Sequence, residues 1–145
     1  MRLGFYLCGQ QPVERVLPLI ARAAMRQGDR LLVVSADEAQ RRALADSLWA
    51  FAPEDFLANG PAGGPHDDRQ PILIGNACLA ANGARMLALA DGAWREEAES
   101  FSRVFLFFSE EGRAQARSVW RQFDGREDAE REFYELEGGK WVRKA

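Results

Sequence analysis

Apolar residues along the chain fall into short unbroken runs, separated by segments in which they recur with helical spacing. The runs are "RLGFYLC" (2–8), "RLLVVSA" (30–36), "ILIG" (72–75), "RMLALAD" (85–91) and "RVFLFFS" (103–109). Continuous apolar runs bounded by turn residues are the pattern of strands buried on both faces. After the first run, Val13, Val16, Leu17, Ile20 and Ala24 keep the period of a helix that "QGDR" closes. Pro18 lacks an N–H and fits only near a first turn, so the regular helix is expected to begin close to it. "SADE" offers a capping box, Ser35 capping and Glu38 reaching back, for a second helix that runs to about Trp49.

"FAPEDFLANGPAGGPHDDRQP" (51–71) reads as a turn-rich connector punctuated by prolines, Pro53 among them. A basic helix follows the fifth run. The tail "REFYELEGGKWVRKA" reads as a last strand or a hairpin turning at Gly138-Gly139. Apolar strands alternating with helices predict an α/β fold, a mostly parallel sheet covered by helices. There is no internal repeat or low-complexity segment, and 145 residues are enough for one domain with a full core.

Composition changes this picture in few places. A net charge of -3 argues against broad electrostatic coating of nucleic acid. Lys140 and Lys144 are the only lysines among 19 basic residues. The plainer reading of that is codon bias in a GC-rich genome, and arginine's planar donors matter only where arginines cluster. No signal peptide is expected, since the apolar run "LGFYLCG" ends at Gln10 and Gln11, and no stretch nears the roughly 18 apolar residues of a membrane span. Cys8 and Cys78 lack metal-ligand spacing and are too few for a disulfide framework. The expected compartment is the cytoplasm.

The candidate chemistries thin out quickly. "GPAGGP" (60–65) lacks the Lys-Ser/Thr pair of a P-loop and the spacing of a dinucleotide fingerprint, and reads as a flexible loop. The sole histidine, His66, lies beside Asp67 and Asp68, but neighbouring side chains on one loop rarely converge on one ion. No serine sits in a nucleophile elbow. The acidic pairs at 96–97 and 110–111 suit helix starts, where they complement the helix dipole. No active site, metal or cofactor is expected.

The basic helix "RAQARSVWRQF" (113–123) stands out more. At about 100° per residue, Arg113, Arg117 and Arg121 form one stripe with Trp120 on its edge, while Ala116, Val119 and Phe123 form a separate apolar face. One reading is a solvated arginine face with Trp120 at the core margin. The other is a docking site for something both anionic and apolar: an acidic peptide with an aromatic end, or a single-stranded nucleic acid. Trp49 and Phe56, in "LWAFAPEDF", either cap the core or line a pocket beside Trp120.

Taken together, "FYL", "GDRLLVVSADEAQRRALADSLWAFAPEDFLANG", "NGARMLALADG" and "ARSVWRQF" resemble, in order and spacing, the chi subunit of bacterial DNA polymerase III, a clamp-loader accessory family. The resemblance implies a Rossmann-like three-layer sandwich with helices on both faces, no nucleotide site and no enzymatic activity. It also implies a bridging role. One surface would bind the psi subunit of the clamp loader, with a helicase as a further candidate partner. Another would bind the acidic C-terminal tail of single-stranded-DNA-binding protein, which ends in an aromatic residue and its carboxylate. By residue, the resemblance places the tail site at Arg113, Arg117, Trp120 and Arg121, with Trp49 and Phe56. The segment "DGREDAERE" after Phe123 is an insertion relative to some relatives and is expected beside that site. "DGAWREEAESF", with Trp94 and Phe101, is the candidate psi-facing segment. The rivals are a small Rossmann-type nucleotide-binding enzyme and a direct single-strand binder.

Overall fold

The computed structural model of the protein describes residues 1–51, 54 and 56–145; Pro53 lies outside them. The order of elements is β1 (Arg2–Leu7), α1 (Val13–Arg26), β2 (Leu31–Val34), α2 (Glu38–Ala50), β3 (Asn59–Pro61), β4 (Ile72–Gly75), β5 (Met86–Leu89), β6 (Arg103–Phe108), α3 (Arg113–Gln122), β7 (Glu130–Glu137) and β8 (Lys140–Arg143). Among the described residues they build one eight-stranded sheet in the order β3-β4-β2-β5-β6-β1-β7-β8. Neighbouring strands are parallel except β7 and β8.

Successive side chains of a strand point to opposite faces, and the core divides accordingly. Phe5, Leu7, Leu32, Leu87 and Leu106 pack with Ala116, Val119 and Phe123 around α3. Tyr6, Val33, Ile74, Ala88 and Phe105 pack with Val16, Leu17 and Ala21 of α1 and with Leu44 and Leu48 of α2. The result is the expected α/β, Rossmann-like three-layer sandwich, with α1 and α2 on one face and α3 on the other.

Three local expectations are corrected. α1 begins at Val13, with Pro12 at the N-cap, and Pro18 lies buried inside it. The ring forfeits a single rung of the ladder and is buried on the core side. The second helix is capped by Asp37, whose carboxylate accepts from the Ala39 and Gln40 amides at 2.9 and 3.4 Å. Ser35 instead accepts from the Asp37 amide at 3.1 Å, two residues upstream of the cap, and Glu38 pairs with Arg42 at 2.7 Å. The glycine-rich connector, expected as loop, contributes β3, which pairs with β4 at the sheet edge. A strand of three residues, two of them Gly60 and Pro61, has no apolar run to announce it.

The tail hairpin forms as expected. Gly138 and Gly139, at φ 56° and 80°, make the tight left-handed turn between β7 and β8. Gly4 has a different reason to be glycine, because a Cβ there would stand 2.5 Å from the Tyr6 ring. That ring stacks on Tyr134 and meets Trp141 edge-on, with centroids 5.0 and 5.1 Å away, and so ties the hairpin to β1.

Candidate functional site

The site begins with the way α3 sits. A 3-10 turn at Glu110–Gly112 leads from β6 into the helix. Ala116 and Val119 are buried against the sheet, which turns Arg117 and Arg121 outward and leaves Arg113 and Trp120 at the margin. Beneath this margin lie three phenylalanines from three adjacent strands: Phe5 of β1, Phe108 at the end of β6 and Phe133 of β7. Phe5 and Phe133 are direct partners in the parallel register.

Helix and strands frame an open pocket of about 360 Å³ lined by Phe5, Phe108, Arg113, Ala116, Arg117, Trp120, Phe133 and Ala145. Trp120 packs on Phe5 with ring centroids 5.0 Å apart, and Phe108 lies over Phe133 at 6.1 Å. The volume suits one large aromatic side chain with its backbone.

The rim is cationic but unevenly so. Arg113 grips Glu110 through two hydrogen bonds of 2.8 and 2.9 Å. This pairing holds the Glu110 carboxyl below the usual carboxylate range and raises the Arg113 guanidinium. Arg117 and Arg121 are exposed and have no partner among the described residues. A fourth guanidinium, from Arg131 of β7, lies over the Trp120 ring at 4.8 Å. It donates to the Trp120 carbonyl at 2.5 Å and to the Asp124 carboxylate at 2.7 Å.

Of the residues the sequence singled out, Arg113, Arg117 and Trp120 meet at this cavity. Arg121 continues their stripe one turn further and does not line it. Trp49 and Phe56 are not brought to it. Leu48 and Leu57 pack on the sheet face opposite α3, so their neighbours Trp49 and Phe56 stand on that side, 54% and 78% exposed. The sheet itself separates them from Trp120. Trp94 and Phe101 do not form an open surface either. Phe101 is buried in the core around α3, and Trp94, half-buried, packs against that core and meets Phe123 edge-on at 5.3 Å.

The three phenylalanines and Arg131 were missed. Alternation along β1 and β7 marks Phe5 and Phe133 as side chains of one face, but nothing local says that these two strands are neighbours.

The remaining candidates are committed to structure. Asp67 accepts from the Gly63 and Gly64 amides at 2.8 and 2.9 Å, so the "PHDDR" carboxylate closes its own loop. Burial pushes the Cys8 thiol up to about 12, far from a reactive thiolate. Asp91 is held below the usual range by Arg95, with which it pairs at 2.8 Å, and by the Ala36 and Ala93 amides. Among the described residues, no group of three His, Cys, Asp or Glu side chains is placed to hold a metal ion.

Fold and site together define an α/β domain with an aromatic pocket on one sheet face, under a rim of arginines. The sequence model of the DNA polymerase III chi subunit, HolC, matches residues 1–129, and the chain belongs to that family. Its broad role is therefore that of an accessory subunit in DNA replication. No curated protein matches the sequence. Among the described residues no helix is long and apolar enough to cross a membrane.

Proposed function

We propose that the protein is a non-catalytic replication adaptor whose α3 pocket holds the acidic C-terminal tail of single-stranded-DNA-binding protein. One observation carries this reading: an aromatic cavity sized for one ring opens beside Arg117, an exposed guanidinium with no partner among the described residues. The terminal aromatic of the tail enters between Trp120, Phe108 and Phe133, and its carboxylates meet Arg117 and Arg113. The lining supports binding rather than catalysis, because phenyl rings, an indole and guanidiniums hold no proton to exchange near neutral pH.

The adaptor needs a second contact, towards the psi subunit of the clamp loader. Trp49 and Phe56 supply it in this reading. Exposed large aromatics mark interaction surfaces, and Phe56 is in addition held at φ 47°, a strained conformation for a residue with a side chain. The two partners then occupy opposite faces of the sheet.

The test is calorimetric titration with a short acidic peptide ending in a free phenylalanine. Micromolar binding is expected, with Arg117→Ala and Trp120→Ala each weakening it roughly three- to thirtyfold. Removing the terminal phenylalanine should abolish most of it. Well-folded protein that fails to bind at low salt overturns the assignment.

A further inference from the structure

We propose that Arg131 is a positioning residue of the tail pocket, holding the Trp120 ring in the orientation that receives the ligand's terminal aromatic; this rests on the tail-binding reading. Trp120 stands in the last turn of α3, where its carbonyl keeps only a 3-10-type bond of 3.3 Å from the Phe123 amide. Arg131 adds a shorter one, donating to the same carbonyl at 2.5 Å. Its guanidinium also covers the indole at 4.8 Å and is anchored from behind by Asp124 at 2.7 Å.

The indole is thus held from two sides, by Phe5 at 5.0 Å and by Arg131. One side chain fixes both the backbone and the ring of a single pocket residue. Lysine could supply the charge but not the flat stack together with two divergent donors. Arg131 lies beyond residue 129, where the family match ends, so the match does not assign it. Its chain partner Asp124 opens the segment that the sequence marks as an insertion. That segment therefore supports the pocket wall through Arg131 and Asp124.

A positioning role separates from a mere positive charge when two peptides are compared, one ending in phenylalanine and one with that residue changed to alanine. Arg131→Met should weaken the phenylalanine-ended peptide about three- to tenfold, the range of a partly buried cation–π contact, and leave the alanine-ended one unchanged. Arg131→Lys should fall between. In a Trp120→Ala background, Arg131→Met should have no further effect, since the two act as one unit.

Equal weakening of both peptides would make Arg131 a general electrostatic contact and overturn the proposal, as would additivity with Trp120→Ala or an unchanged affinity. If Arg131→Met does not fold, Arg131→Lys carries the same comparison. If the wild type binds neither peptide, the tail-binding reading falls by itself. Near-ultraviolet circular dichroism then still decides the positioning. A change on Arg131→Met that vanishes in the Trp120→Ala background upholds it, and no change overturns it.

Discussion

Arg113 and Arg117 differ by one helical turn and by what already holds them. Glu110 satisfies Arg113 with two hydrogen bonds, whereas Arg117 is left to solvent. An incoming carboxylate must displace Glu110 to use Arg113 fully, so Glu110 acts as an internal competitor. Glu110→Gln is expected to tighten the acidic peptide about two- to fivefold, the scale of an exposed ion pair. Arg113→Ala should cost less than Arg117→Ala in the same titration. An unchanged affinity in Glu110→Gln would mean that the ligand does not reach Arg113. Helical arithmetic puts both arginines on one stripe; it says nothing of a carboxylate that a preceding 3-10 turn swings into place.

Among the elements, the contact of β1 with β7 decides most. It is a parallel pairing between the two ends of the chain, and it brings Phe133 under α3 and Arg131 onto Trp120. On the opposite face of the same pair, Glu132 accepts from Arg2 and from the Tyr134 hydroxyl. These bonds, that of Arg2 foremost, hold its carboxyl at about 2, below the ordinary 4.5.

A carboxyl depressed in the folded state stabilises the fold above its unfolded pKa, and that stability is lost as pH falls through the folded value. The loss here therefore runs from about pH 4.5 down to about pH 2. After allowance for the partly exposed Arg2, the contribution at neutral pH is roughly 1–2 kcal/mol. Urea unfolding of Glu132→Gln should show about that deficit at pH 7, shrinking towards zero near pH 2. A constant deficit at every pH would assign the effect to packing instead. β7 has an acidic, alternating sequence with few apolar residues, so it reads as a terminal strand but gives no sign of its neighbour.

For the molecule as a whole, the sheet is a partition. α3 and its pocket lie on one face, α1 and α2 with Trp49 and Phe56 on the other. The proposed adaptor could hold its two partners on these opposite faces without their surfaces overlapping. Trp49→Ala and Phe56→Ala should leave the affinity for the tail peptide within about twofold, because sites this far apart are energetically additive. The same variants should lose co-purification with a psi subunit. A tail-peptide affinity that falls with Trp49→Ala would return that residue to the pocket.

What the sequence determined by itself is whatever depends on near neighbours along the chain. Strand runs, the arginine stripe and its Trp120 edge, the buried face of Ala116, Val119 and Phe123, and the Gly138-Gly139 turn all follow from periodicity and backbone freedom. The α/β class follows from their alternation. Only the tertiary structure decided which strands adjoin, and with that which residues share a face. Strand order is settled by the closing of the whole sheet around its core, through contacts between distant segments that no local pattern encodes. Hence Phe5, Phe108 and Phe133 joined the pocket, and Arg131 came to lie over its Trp120, unannounced. Trp49 and Phe56, which the sequence associated with Trp120, stand instead on the far side of the sheet, because α2 packs on the face that α3 does not cover.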